Sequence, residues 1–79
     1  MYKFVNGRVE AAEFIIRKES KYINVPLKDL KIKKNNLIAC IVRKGKIIIP
    51  GGNDHMEIGD SVIVVTMEHA LNALKDILL

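Results

Sequence analysis

Short runs of apolar residues, separated by charged or glycine-containing turns, predict a small β-rich domain. Runs of this length that are rich in β-branched and aromatic residues are typical of strands. They are Tyr2–Val5, Val9–Ile16, Leu37–Val42, Ile47–Ile49 and Ser61–Thr66. The first run is a short leading strand or the end of a linker, and the tight-turn pair Asn6-Gly7 follows it. Part of the second run also fits a helix, but the β-forming residues Phe14–Ile16 favour a strand.

Helical features occur in two other segments. Pro26–Leu30 suits one helical turn, because proline is favoured at the first helical position. After the last strand, Thr66 is a candidate N-cap, and the segment that follows has an apolar stripe at helical spacing. The members of the stripe are Ala70, Leu71, Leu74, Ile77 and Leu78. The sequence therefore predicts an α/β (α+β) fold, in which a small, mostly antiparallel sheet is packed by a C-terminal helix.

The predicted strands carry apolar residues at consecutive positions, as in LIACIV, III and VIVV. Strand side chains alternate between the two faces of a sheet, so both faces of this sheet are expected to be apolar. One terminal helix covers one face, and the turn near Leu27 is too small to cover the other. A soluble monomer seldom exposes such a patch. We therefore expect a second copy of the chain to cover it, in a two-fold homodimer.

Length and charge narrow the classes of function. With 79 residues the chain forms one domain at most, and its core is thin. The net charge of +4 is spread along the chain apart from a cluster at Lys31, Lys33 and Lys34. That cluster is the only feature that suggests a nucleic-acid binder. Because the sequence lacks stacking aromatics and a basic recognition helix, we expect no nucleic acid partner. No apolar run reaches the length of a membrane span, so we expect no direct membrane insertion.

The sequence contains only weak evidence for a metal, phosphate or catalytic site. Asp54, His55 and Glu57 match no established metal-ligand spacing, so a solvated polar turn is the better interpretation and no metal is expected. The acids of this loop, Asp60 included, are expected to be solvated. Pro50-Gly51-Gly52 follows a strand and opens no helix, which favours a strand terminator over a phosphate loop. Cys40 is expected to be a small buried residue in a reducing compartment, and His69 a surface residue. No nucleophile has a base and an acid placed near it, so the chain is not expected to be an enzyme.

A longer pattern resembles a known family. The Pro-Leu-x-x-Leu turn, the LIA-x-I-x-R-x-G hairpin, the Ile-Pro strand end and the E-x-G-D before V-I-V occur in this order between Val25 and Val65. Together they resemble the TrkA-C (RCK-C) family of C-terminal regulatory domains, and most closely the last domain of Trk-type potassium uptake regulators. The resemblance implies a domain over residues 9–79, preceded by a linker or short leading strand at residues 1–8.

The resemblance also implies a function and a location. Such domains are dimerising, RCK-C-like regulators of potassium transport, and the expected partners are an upstream nucleotide-binding domain and a membrane potassium transporter subunit. The chain would then be cytoplasmic and peripheral to the inner face of the membrane, and would act allosterically by favouring one arrangement of two copies. The alternatives are a pure oligomerisation module without its own ligand and the regulatory domain of another cation transporter.

Some relatives bind cyclic di-AMP in the cleft of the dimer, so this or another nucleotide is the possible ligand, with no other cofactor expected. Positions of this chain that match the ligand-contacting ones are Val25, Pro26, Asn36, Leu37, Ile38 and Pro50. In this interpretation Asn36 hydrogen-bonds a base edge, Ile38 and Pro50 pack against it, and Lys28, Lys31 or Lys33 faces phosphate. Val25-Pro26 stands where the family commonly has Val-Gly. The alternative role of Asn36 is to cap the start of a strand.

Overall fold

Five strands form one antiparallel sheet in the order β1-β2-β5-β3-β4. The computed structural model describes residues 2–67 and 71–79. The strands are β1 (Tyr2–Phe4), β2 (Val9–Ile15), β3 (Asn36–Arg43), β4 (Lys46–Ile48) and β5 (Ser61–Thr66). Each strand predicted from the sequence is present, with small differences at the ends. The leading segment is a strand, and the second run is a strand and not a helix.

Strand β5 lies in the centre of the sheet and fixes the register on both sides. It pairs with β2 from Glu10↔Thr66 to Ile15↔Ser61, and with β3 from Asn36↔Thr66 to Val42↔Ser61. A bulge between Ile38 and Cys40 shifts the β3 register by one residue. The β3–β4 hairpin turns through Lys44 and Gly45, both with positive φ, at 51° and 78°. Glycine adopts such a positive φ without steric cost, which suits Gly45 to this turn.

One face of the sheet is covered by the rest of the chain, and we call it the covered face. Alternate residues of the central strands point into it, including the fully buried Val62, Val64 and Ile41. Connecting segments pack against these side chains and complete the core. Their buried apolar residues are Ile16, Ile23, Met56, Leu74 and Ile77. The layer over this face is therefore made of loops and short turns.

The prediction that a C-terminal α-helix covers the sheet is wrong for the described residues 71–79. A 3-10 helix spans only Leu74–Ile77, and Ala73 before it is extended, with φ −147° and ψ 156°. The predicted start of the helix at residues 68–70 lies outside the described residues. Leu74 and Ile77 still face the core, because a spacing of three residues also places side chains on one side of a 3-10 helix.

Two sets of contacts explain why the C-terminal segment is not α-helical. The Asp76 carboxylate accepts the backbone N–H groups of Asn72 and Ala73, both at 2.9 Å, which holds a tight turn. The chain then runs extended beside residues 31–33: Lys33 N donates to Ile77 O at 2.7 Å, and Leu79 N donates to Lys31 O. A helix of this length is marginal by itself, so these tertiary contacts decide its conformation.

The helical turn predicted at Pro26–Leu30 is confirmed as a 3-10 helix at Leu27–Asp29. Leu27 and Leu30 lie three residues apart, and both pack against the core. No helix in the described residues is long and apolar enough to cross a membrane.

Candidate functional site

The loop between β4 and β5 is fixed to the sheet by one arginine. Arg43, the last residue of β3, donates to both carboxylate oxygens of Asp60 and to the backbone carbonyl of His55. Arg43 Nη1 also lies 3.1 Å from Glu57 Oε2, and that carboxylate pairs with His55 Nε2 at 2.9 Å. Since a guanidinium offers five donors in a planar fork, a single side chain gathers His55, Glu57 and Asp60 in the second half of this loop.

Asp60 is fully buried, and its charge is stabilised by these contacts. Burial by itself raises the pKa of this carboxyl group, because it disfavours the charged form. The hydrogen bond from Arg43, the hydrogen bond from the Glu57 backbone N–H and the charge of Arg43 act in the other direction. The net result is a pKa for Asp60 below its ordinary value of 3.8. The carboxylate is therefore ionised at neutral pH.

The sequence predicted that the acids of this loop are solvated, and for Asp60 this is wrong. Asp60 lies in the interior and Glu57 is half-buried, whereas Asp54 is exposed as expected. Arg43 was not singled out as a partner. The signal was present, since one motif of the resemblance contains an arginine and another contains Glu-x-Gly-Asp, but a distance of 17 residues in sequence hides their pairing.

A second set of contacts joins the first 3-10 helix to the same loop. Asn24 N donates to Met56 O, Leu27 N to Asp54 O and Lys28 N to Gly52 O, at 2.8, 2.8 and 2.9 Å. The backbone from Asn24 to Lys28 therefore lies along the loop and is held there by three backbone hydrogen bonds. This pairing brings the predicted ligand positions Val25 and Pro26 close to the loop that begins at Pro50.

Both polar atoms of the Asn36 side chain form hydrogen bonds within the chain. Its side-chain amide donates to the carbonyls of Lys33, at 3.3 Å, and Lys34, at 2.8 Å. Its carbonyl oxygen accepts the Thr66 hydroxyl at 2.6 Å. The turn before β3, where Asn35 has φ of 65°, is thereby fixed to the end of β5. The capping role considered for Asn36 is present, and the contact with a base edge stays a prediction.

The other predicted apolar ligand positions fall into two environments. Ile38 lies in the core, only 5% exposed, so the single chain does not present it to a ligand. Leu37, its neighbour on β3, points to the opposite face and is 60% exposed. Val25, Pro26 and Pro50 are half-buried. The structure thus leaves Val25, Pro26 and Pro50 half-buried, presents Leu37 on the other side of the sheet, and encloses Ile38.

The lysines predicted to face phosphate are all exposed, but they are not equivalent. Lys28 lies in the first 3-10 helix, against Gly52. Lys31 lines a hollow of about 330 Å³ with Tyr22, Leu30 and the C-terminal Leu78 and Leu79. Lys33 follows Ile32, whose bridge partner is Leu78. Only Lys28 therefore lies beside the loop of Pro50.

The second face of the sheet has no cover among the described residues, and we call it the open face. The registers place its side chains in rows across the strands: Tyr2–Ala11–Val65–Leu37, Glu13–Ile63–Cys40, and Ile15–Ser61–Val42–Ile47. Glu13 and Ser61 are the polar members of these rows, and the Ser61 hydroxyl donates to the Glu13 carboxylate. The rest of this surface is apolar.

Cys40 lies in the middle row of the open face and is half-buried. The predicted burial of this small residue is therefore only partial in the single chain, because the bulge at Ala39 turns Cys40 to the open face. Among the described residues, no three histidine, cysteine or acidic side chains are grouped as a metal site.

These features define a small antiparallel-sheet domain whose loop layer is fixed by an ion pair and whose open face is apolar and, among residues 2–67 and 71–79, without a cover. A model of the TrkA-C domain family matches residues 11–79. The chain belongs to the TrkA-C domain family, as its sequence motifs predicted.

Curated relatives carry the same region within longer proteins. The chain is 31% identical over 74 residues to "Trk system potassium uptake protein trkA homolog 1" of Methanosarcina mazei, and the match covers 94% of the chain and 18% of that protein. It is 35% identical, again over 74 residues, to the "Trk system potassium uptake protein TrkA homolog" of Archaeoglobus fulgidus, of which it covers 17%. The chain therefore spans less than a fifth of the length of these relatives.

A solved structure described as an RCK domain "with cda" has the same fold. It superimposes with a TM-score of 0.67 at 26% identity, covering 87% of this chain and 97% of that one. The TrkA-C family is a family of regulatory domains, and the fold of this chain is that of an RCK domain.

Proposed function

We propose that this chain is a dimerising regulatory domain of a potassium uptake system and that it passes the binding of a nucleotide to a transporter. The observation that carries the proposal is the open face of the sheet. We propose that a second copy of the chain covers this face. The relative arrangement of the two copies would then depend on whether a ligand is bound. The proposed location is the cytoplasm, peripheral to the inner face of the membrane.

The open face is suited to a two-fold interface. Its outer members are strongly exposed: Leu37 by 60%, Ile47 by 72% and Tyr2 by 77%. Between them lie half-buried Ile63 and Val65 of β5. Apolar surface of this extent on a soluble monomer favours association, and burying it contributes roughly 25 cal/mol per Å². A two-fold axis near β5 would place the same rows of both copies against each other.

The proposed partners follow from the relatives. The matching proteins are named as Trk system potassium uptake proteins, and this chain corresponds to less than a fifth of each. An upstream nucleotide-binding domain and a membrane potassium transporter subunit are therefore the proposed partners. The mechanism is a population shift: a ligand that prefers one arrangement of the two copies favours that arrangement in the attached transporter.

Cyclic di-AMP is the proposed ligand. The family resemblance implies this ligand, and the RCK domain of similar fold is described "with cda". On this chain Val25, Pro26 and Pro50 would provide apolar contacts and Lys28 a charge for phosphate. This choice is supported by the backbone bond of Lys28 with Gly52, which brings the turn and the loop together.

Other members of the predicted site fit this proposal less directly. Leu37 is exposed on the open face, so it would contact a ligand held near the junction of two copies. Ile38 and Asn36 would act by supporting β3 behind Leu37, since Ile38 is in the core and Asn36 is bonded to the turn. Lys31 and Lys33 would contribute long-range attraction for the phosphates.

Titration calorimetry with cyclic di-AMP tests the ligand. Binding should release or absorb heat with one ligand per two chains, and saturating ligand should raise the melting temperature. Lys28→Ala should weaken binding, and Lys44→Ala, an exposed lysine on the β3–β4 hairpin, is the matched control. Absence of heat together with an unchanged melting temperature would contradict the ligand. The open face would then support the second candidate, an oligomerisation module without its own ligand.

A further inference from the structure

Strand β2 has an edge that is only partly paired. On one side β5 pairs with it as far as Ile15, but on the other side β1 pairs only with Val9–Ala11. In the part of the chain that the structure describes, no strand lies beside residues 13–15 on that outer side. An unpaired strand edge presents backbone N–H and C=O groups that can pair with another strand.

A hollow of about 660 Å³ lies at this edge. Residues 13–18 form one wall, and Tyr22 with residues 72–74 forms the other. Its apolar surface comes from Phe14, Tyr22 and Leu74, of which Phe14 and Tyr22 are half-buried and so can still be contacted. The hollow therefore accepts an apolar side chain of an added strand, next to the unpaired backbone groups of β2.

The net charge of the side chains that line the hollow is positive, because Arg17 and Lys18 outnumber Glu13. Arg17 and Lys18 are exposed there. The acid that lines the same hollow, Glu13, accepts a hydrogen bond from Ser61 on the open face. The ion pairs formed among the described residues all lie in the network of Arg43, Glu57, Asp60 and His55. Arg17 and Lys18 are thus available for an acidic partner.

We propose that the outer edge of β2 at residues 13–15 is a docking site for an extended peptide segment of a partner protein that alternates acidic and apolar residues. The segment adds a strand to β2, places an apolar side chain in the hollow beside Tyr22, and pairs acidic side chains with Arg17 and Lys18. Strand addition of this kind obtains affinity from backbone hydrogen bonds and specificity from the pockets for alternate side chains.

Charge argues against the outermost strands of a second copy of this chain as the occupant. Its own edge strands are β1 and β4, and their sequences are Tyr-Lys-Phe and Lys-Ile-Ile. Pairing either of them with β2 would bring Lys3 or Lys46 towards Arg17 and Lys18, and like charges that lie opposite each other destabilise strand pairs. A lipid surface fits less well than a peptide, because it offers no partners for the backbone groups of a strand edge.

The test uses short peptides and the amide resonances of the ¹⁵N-labelled chain. The probe is Glu-Val-Glu-Val-Glu with both ends blocked, and the comparison is the same peptide with lysine in place of glutamate. The acidic peptide should shift the amide signals of residues 13–18 and Tyr22 and should bind about tenfold more tightly than the basic one. A third peptide, acidic but methylated on its backbone nitrogens, should lose binding, because it cannot donate to a strand.

Charge-reversal variants locate the site. The double variant Arg17→Glu/Lys18→Glu should weaken binding of the acidic peptide about tenfold. Lys44→Glu/Lys46→Glu changes the net charge equally on the distant β3–β4 hairpin, and it should leave binding unchanged. Both pairs of positions are exposed, so melting curves should show both variants folded.

Several results would overturn the proposal. One is equal binding of the acidic and the methylated peptides, since this means that no strand is added. Another is absence of binding by the acidic peptide. A third is that anionic lipid vesicles, but not the peptide, shift the signals of residues 13–18. A fourth is that Arg17→Glu/Lys18→Glu changes the self-association of the chain instead of peptide binding, which would assign the edge to a second copy.

Discussion

Arg43 and Asp60 form a bidentate ion pair in which Nε donates to Oδ1 and Nη2 donates to Oδ2, each at 2.9 Å. The pair joins the end of β3 to the residue before β5, 17 positions later in the chain. Asp60 also accepts the backbone N–H of Glu57 at 2.7 Å. The loop that carries Pro50 and the first 3-10 helix packed along it therefore depend on one buried carboxylate.

Asp60→Asn should destabilise the fold by about 2 kcal/mol, because an amide cannot satisfy both the guanidinium and the buried backbone donor. Urea denaturation followed by circular dichroism measures this change. Asp54→Asn is the control, because Asp54 is exposed and its oxygen that accepts the Gly51 N–H is retained in an amide. Equal stability of the two variants would contradict the structural role of Asp60.

The same pair should make stability depend on pH in the acid range. The folded pKa of Asp60 lies below 3.8, so the unfolded chain binds its proton more readily than the folded chain. Its contribution is complete above the unfolded pKa and is lost as the pH falls through the folded pKa, over roughly pH 5 to pH 2. Denaturation midpoints of the unaltered chain should fall more steeply in this range than those of Asp60→Asn. Parallel curves would show that Asp60 is not the titrating group.

Gly52→Ala should loosen the contact between the loop and the first 3-10 helix. A Cβ at Gly52 would lie 3.1 Å from Lys28 Cβ, and the backbone bond between the same two residues prevents them from moving apart. We expect a loss of about 1 kcal/mol by urea denaturation. At Gly51 the nearest atom to an added Cβ is Asp54 Oδ2, at 3.8 Å, so Gly51→Ala is the control. An equal or larger loss in the control would show that the close approach has no cost.

Val5→Asn should stabilise the β1–β2 hairpin. Val5 has φ of 54°, a conformation that is strained for a β-branched side chain and tolerated by asparagine. Since the side chain is 58% exposed, the exchange loses little burial, and we expect a gain of about 1 kcal/mol. Lys44 has a similar φ of 51° without a branched side chain, so Lys44→Asn should gain less. Thermal unfolding of the two variants compares them, and a lower melting temperature for Val5→Asn would argue against strain at this position.

The strands could be predicted because the apolar runs and the turn residues act locally. Gly45 and the Asn6-Gly7 pair bound the hairpins, and the alternation within β5 places Val62 and Val64 in the core. The C-terminal helix could not be predicted correctly, because its pattern of leucines also fits a 3-10 helix. The choice between them depends on the pairing of Leu78 with Ile32, which lies far away in sequence.

The candidate site was predictable only in part. The turn at Pro26 and the exposure of Lys28 follow from local chemistry, as does the capping role of Asn36. The enclosure of Ile38 and the exposure of Cys40 depend on the bulge at Ala39, which reverses the alternation along β3. The pattern of a single sequence gives no sign of this bulge. Only the structure therefore shows to which face of the sheet the side chains of Ile38 and Cys40 point.

The exposed apolar face is the premise of the proposed function, and sedimentation velocity tests it most directly. We expect the chain, whose mass is 8.9 kDa, to sediment as a species of twice that mass, and Leu37→Glu/Ile47→Glu to sediment as a folded monomer, since both side chains are exposed in the single chain. Val64→Asp, on the covered face, should instead unfold the chain. A well-behaved monomer for the unaltered chain at high concentration would contradict the dimer and the regulatory mechanism built on it.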